Sequence, residues 1–222
     1  MVTGGYRKAA DLPRVIPVFP LNGALLLPYG QLPLNVFEPR YLNMVDDAMA
    51  GDRIIGMIQT RAGGVADLPP PLAPIGCAGR ITSFAETPDG RYLITLSGLC
   101  RFAAGDELPV RTPYRQVIAD FHGFAGDLRP MVEDEGFDRI RFLSALKAYL
   151  DRRALDLDWE AAKTAPGDAL VNSLAMALPF EPAEKQALLE ARGLRDRRQA
   201  LIALMEIDAA GLAGEDDPPP LQ

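Results

Sequence analysis

The hydrophobic period of this chain changes near its middle, and that change limits what it can fold into. Up to Phe121 the apolar residues come in short runs broken by proline and glycine; from about Met131 they recur every three or four residues. Short runs bounded by turn residues read as strands, and the longer period is that of helices buried along one face. The segments 16–28 and 32–37 are too short and too proline-interrupted for helices. Proline lacks the donor that a central strand needs, so both are expected at edges, strand starts or bends. Further strands are expected over 53–59, 76–85, 91–97 and 115–121, with Thr87-Pro88-Asp89-Gly90 as a chain-reversing turn. One helix interrupts this half: Tyr41, Leu42, Val45, Ala48 and Met49 share a face, and Gly51 stands where a C-terminal cap belongs. Residues 61–74, rich in glycine and proline, read as a surface loop with extended stretches.

In the second half Phe137, Ile140, Leu143, Leu146 and Leu150 mark the apolar face of a helix, preceded by Glu133, Asp134 and Glu135 at its positive end. Trp159 falls in a short link. Leu170, Leu174 and Leu178 mark a second helix ended by Pro179; Pro182 opens a third, and Leu194 to Met205 carry a fourth that closes near Gly211. The expected architecture is α+β, a curled sheet or small barrel followed by a helical bundle. An extension covers 1–11, the β-rich part 12–125, the bundle 126–212 and a solvated acidic tail 213–222.

Charge narrows the function classes. The net charge is −7; residues 1–125 carry 11 basic and 11 acidic side chains, so the whole excess lies in the second half. Nucleic-acid binders draw most of their affinity from a basic face, which makes that partner unexpected. No run of about 18 apolar residues exists to span a membrane, and the first eleven residues lack the apolar block of a secretion signal, so a cytoplasmic protein is expected. Cys77, Cys100 and His122 do not form a zinc-binding spacing, and the two thiols read as buried, reduced small hydrophobes.

Recognisable chemistry is scarce. There is no Gly-Lys pair for a phosphate loop, no glycine fingerprint for a dinucleotide and no serine in a nucleophile elbow. Asp46-Asp47 and Asp216-Asp217 are adjacent neighbours, which do not give the opposed carboxyls that acid–base catalysis needs. No catalytic residue, cofactor or metal is expected. The stretch that asks for explanation is Glu38-Pro39-Arg40. Its simplest reading is a strand-to-helix corner: Pro39 starts the helix, Phe37 is buried, and Glu38 caps the first turn. The other reading makes Glu38, Arg40 and Tyr41 a binding surface.

With these elements placed, residues 16–45, IPVFPLNGALLLPYGQLPLNVFEPRYLNMV, closely resemble the start of the Lon protease N-terminal domain, also called the Lon substrate-binding domain. The residues carrying the likeness are Pro17, Phe19, Pro20, Leu21, Pro28, Pro33, Phe37 and Pro39. The resemblance continues through 75–81, through 89–102 with Gly90, Arg91, Gly98, Arg101 and Phe102, and through 174–190 with Pro179. It implies a PUA-like barrel followed by a helical bundle, and a non-enzymatic module that binds proteins or peptides, unfolded segments among them. A full Lon protease continues into an ATPase module and a Ser-Lys protease module, and neither occurs before Gln222. A stand-alone member of the family is therefore expected, with no proteolysis or ATP hydrolysis carried over. A groove between barrel and bundle is the expected site. RNA binding, by analogy with other PUA-like barrels, is opposed by the charge; a small-molecule site would have to be built from Glu38, Arg40 and His122.

Overall fold

The computed structural model describes residues 5–61, 63, 69–130 and 136–211. The expected helix start at Glu133–Glu135 and the acidic tail lie outside them. Among the described residues, six strands form one sheet: β1 (Val15–Pro20), β2 (Gln31–Val36), β3 (Ile54–Ile58), β4 (Ile75–Glu86), β5 (Tyr92–Glu107) and β6 (Arg115–Asp120). Their order is β2-β5-β4-β3-β1-β6, and a further β5–β6 pairing closes all but β2 into a barrel. The long β5 makes closure possible. Its first half, through Ser97, lies between β2 and β4, while Ala103 and Ala104 pair with β6 at Asp120 and Ala119.

β1 is not an edge strand, contrary to what its prolines suggest; it lies between β3 and β6. The two neighbours are staggered. β6 pairs with Val15 to Val18, and β3 pairs with Val18 to Pro20. Pro17 and Pro20 therefore each face a partner on one side only, and the missing amides are never asked for on both. β2 is the edge that was expected, paired with β5 alone, and Pro33 occupies its middle. A proline in such a ladder places its donorless nitrogen outward, which guards the open edge against indiscriminate pairing.

The β3 sequence Ile-Ile-Gly-Met-Ile is buried throughout because both its faces are covered. Ile54 and Ile58 point into the barrel with Ile16, Val18 and Phe102. Ile55 and Met57 point outward into a second core, shared with helix α1 (Pro39–Ala50) and with the helices of the second half. Cys77 and Cys100 follow the same alternation, one in each core, and both are free thiols. At Gly98 the chain passes the 27–30 turn so closely that an added Cβ would lie 2.0 Å from the Leu27 carbonyl oxygen.

The bundle comprises α2 (Arg139–Arg153), α3 (Trp159–Thr164), α4 (Gly167–Ala177), α5 (Pro182–Glu190) and α6 (Leu194–Gly211). Two expectations are corrected here. The buried face of α2 is Phe142, Ala145, Leu146, Tyr149 and Leu150, and Ile140 is 84% exposed. Trp159 does not sit in a link but opens a short helix, capped by the Asp158 carboxylate accepting from the Ala161 amide.

Buried cations bind helix C-termini, where free carbonyls and the dipole favour positive charge. Two of them, Arg101 and Lys185, join barrel to bundle, while Arg197 ties helices within the bundle. Arg101 on β5 donates from Nη1 to the Leu189 and Ala191 carbonyls at the end of α5, while its Nε and Nη2 grip Asp127. Lys185 donates to the carbonyls of Gly23 and of Met176 near the end of α4. Arg197 donates to Leu188 O and Asn172 Oδ1; burial and the charge of Arg101 pull its pKa down to about 10.

Candidate functional site

The corner at Glu38-Pro39-Arg40 is built partly as expected. Pro39 is the first residue of α1. Phe37, expected in the core, is 62% exposed, with the Arg91 guanidinium 6.0 Å from its ring centre. It lies one residue past Val36, whose side chain takes the inward position, so Phe37 turns outward by strand alternation. Glu38 does not cap the helix through its side chain. Its Oε2 accepts instead from Arg40, at 2.9 Å from Nε and 2.8 Å from Nη2. The Arg40 guanidinium lies 4.6 Å from the centre of the Tyr41 ring, and that ring packs on Phe19 at 4.1 Å. Tyr41 is otherwise buried, which pushes its phenol pKa up.

Next to this corner the β3–β4 connection forms a narrow neck. Thr60 pairs with Leu72 across an antiparallel bridge; the Arg61 amide donates to Pro71 O at 2.8 Å and the Ala73 amide to Gln59 O at 2.7 Å. The neck forms a rib that borders two clefts, and Thr60 lines both.

The larger cleft has a volume of about 690 Å³ and lies between the rib and helix α5. Ala73, Pro74, Pro182 and Ala183 give it apolar walls, and Gln59 and Gln186 its polar floor. Gln59 is held from both ends: its Oε1 accepts from the Gly23 amide, and its Nε2 donates to Pro182 O and Gln186 Oε1. Gln186 donates in turn to Ile75 O and to Glu190. Three of these links, Gln59 to Pro182 and Gln186 and Gln186 to Ile75, join barrel to bundle, so the floor is rigid. Glu181 and Glu190 stand at the α5 side and Arg61 on the rib. This is the groove between the two halves that the sequence led us to expect.

The smaller cleft, about 160 Å³, brings Arg40 and Tyr41 together with Tyr114, Arg115 and the prolines at 20, 69, 70 and 113. The Tyr114 hydroxyl donates to Asp47 Oδ2 at 2.6 Å; burial first, and the carboxylate second, push its pKa up to about 12. Arg115 is held by Glu107 and donates from Nη1 to Pro70 O at 2.8 Å.

Of the expected trio only Arg40 and Tyr41 line a cleft; Glu38 does not, and it is paired with Arg40 instead. His122 lies elsewhere, at the far end of β6, where its Nδ1 is 2.8 Å from Asp120 Oδ1 on the surface. The sequence reading did not single out Gln59, Thr60, Tyr114, Arg115 or Gln186. Glutamine and threonine carry no motif, and each cleft is assembled from several separate segments, 22, 59–61, 73–74 and 181–190 in the larger and 20, 40–41, 60, 69–70 and 113–115 in the smaller.

A barrel closed around one apolar core, with a helical bundle sealed to it through a second, defines the class of domain. The family model described as the ATP-dependent protease La (LON) substrate-binding domain matches residues 15–206, and the chain belongs to that family. Among curated proteins it is 28% identical to the Lon protease of Roseiflexus castenholzii over 202 residues, covering 88% of this chain and 24% of that protein. It is 27% identical to Lon protease 2 of Myxococcus xanthus, covering 92% and 25%. The chain therefore spans about a quarter of the length of these relatives. Two solved structures share the fold. The crystal structure of a Lon N-terminal domain protein from Xanthomonas campestris superposes with a TM-score of 0.58 at 24% identity, covering 85% of this chain and 97% of that one. The N-terminal domain of Mycobacterium avium complex Lon protease gives 0.59 at 18% identity, covering 86% and 98%. Among the described residues no helix is long and apolar enough to cross a membrane.

Proposed function

We propose that this chain is a protein-recognition module that performs no chemistry of its own and binds extended or unfolded segments of other proteins. The observation that carries this reading is the 690 Å³ cleft between the β3–β4 rib and α5. It is open, has apolar walls and lies on a floor of side chains fixed by mutual hydrogen bonds, which lowers the cost of ordering a guest. Membership of a family described as substrate-binding supports the choice of protein as the ligand class. Folded surfaces are convex and fit such a trench poorly, whereas an extended segment can lay side chains against the apolar walls at Ala73, Pro74, Pro182 and Ala183.

The test is photocrosslinking from benzoylphenylalanine placed at Ala183, with permanently unfolded, carboxymethylated α-lactalbumin as probe. Crosslinks should form at Ala183 and not at the exposed Ile207 on α6, and native α-lactalbumin should give none. Equal yields at the two positions, or no yield at Ala183, would overturn the reading.

A further inference from the structure

We infer that the larger cleft selects extended segments with two basic residues four positions apart; this rests on the recognition of extended segments proposed above and adds the class of segment taken. The charge lies on the α5 wall. Glu181 and Glu190 line the cleft at the two ends of that helix, with Pro182, Ala183 and Gln186 between them. Neither carboxylate is in an ion pair among the described residues. Helix α5 does not neutralise them itself. Its one lysine, Lys185, is buried outside the lining of the cleft, with its Nζ donating to the carbonyls of Gly23 and Met176. Glu190 is held at 2.7 Å by Gln186 Nε2, a neutral donor that fixes the carboxylate and leaves its charge uncompensated.

Among the described residues that line the cleft the one cation is Arg61, on the rib across from α5. The two walls carry opposite signs, and that orients a guest. Successive side chains of an extended segment point to opposite sides. Basic side chains are drawn to the side that faces α5 and repelled by Arg61 on the side that faces the rib. The helix sets their spacing. Glu181 and Glu190 stand at opposite ends of α5, about 13 Å apart along the axis at 1.5 Å per residue. An extended chain covers that distance in about four residues at about 3.3 Å each. Four is even, so both basic side chains fall on the same side, and the one midway between them lies over Ala183 and Gln186. An odd spacing would turn one of the two towards Arg61.

The experiment is a titration of the ¹⁵N-labelled chain with acetylated, amidated nonapeptides of serine, threonine and valine. One carries lysine at its third and seventh positions, one at its third and sixth, one has glutamate at the third and seventh, and the parent is neutral. The third-and-seventh lysine peptide should give saturable shifts at the amides of Ala183, Gln186 and Glu190. It should bind about fivefold tighter than the parent, since each exposed charge pair is worth about twofold to threefold. The third-and-sixth peptide should keep less than half of that advantage, and the glutamate peptide should bind more weakly than the parent. The advantage should shrink in about 0.5 M salt and fall to about twofold in Glu181→Gln or Glu190→Gln, each checked for folding by its own spectrum. Equal affinity of all four peptides at Ala183 and Gln186 would overturn the charge preference alone and leave the recognition of extended segments standing. So would an undiminished advantage in both glutamine variants. No shift at these amides with any peptide would overturn both.

Discussion

The Nε of Arg101 lies 2.8 Å from Oδ2 of Asp127, and both side chains are buried, at 4% and 12% exposure. The same guanidinium reaches the last carbonyls of α5, so one side chain ties a barrel strand, the 3-10 turn at His122–Leu128 and the bundle. Removing one partner of such a pair leaves the other charged and desolvated. Arg101→Ala is expected to cost about 3–5 kcal/mol, measured by urea denaturation. Asp127→Asn should be milder, because an amide can still accept from the arginine.

Glu38→Ala should have little effect on stability. A capping role would make the change cost about 0.5–2 kcal/mol, but Glu38 binds Arg40 at a site where both side chains are about half exposed. An exposed ion pair is screened by solvent and salt, so the loss should stay within about 0.5 kcal/mol. A larger fall in the urea midpoint would restore the cap.

Gly98→Ala should be among the most damaging single changes. The new Cβ would meet the Leu27 carbonyl oxygen at 2.0 Å, and that oxygen belongs to backbone that cannot swing aside. We expect at least about 2–3 kcal/mol. Gly90→Ala makes a control: nothing lies within 4 Å there, and only its φ of +78° is at stake, worth about 1–2 kcal/mol.

Alkaline stability should depend on Tyr114. Its pKa is pushed from the ordinary 10.0 to about 12, so the fold favours the neutral phenol. That contribution is complete below pH 10 and is lost as pH rises towards 12. Tyr114→Phe should therefore be less stable at pH 7 by about 1–2 kcal/mol, through loss of the Asp47 hydrogen bond. Its stability should also fall less steeply between pH 10 and 12. Parallel alkaline limbs for the two proteins would remove Tyr114 from the account.

The sequence carried the fold further than it carried the site. Turn chemistry at Thr87–Gly90 and the helix starts at Pro39 and Pro182 are local, and the structure has them where local chemistry puts them. The placement of β1 failed because a proline rule treats a strand as paired along its whole length, whereas its two neighbours overlap it only at Val18. The α2 face slipped because Ile140 and Leu143 fit a helical stripe as well as Phe142 and Tyr149 do, and only the packing partners decide between them. Apart from Arg40 and Tyr41, the cleft-lining residues left no trace as a site: a guanidinium held by Glu107 and aimed at Pro70 is a relation between distant residues, not a motif.

The outward face of β3 and β4 has a consequence for how the molecule comes apart. Ile55, Met57 and Cys77 are packed in the same oily interior as Phe142, Leu188 and Met205. Neither half can shed the other without baring that interior to water. Heating should therefore give a single calorimetric peak, with equal van't Hoff and calorimetric enthalpies, rather than one step for the barrel and another for the helices. A guest held across the rib and α5 would thus be gripped by a clamp whose two jaws melt only together.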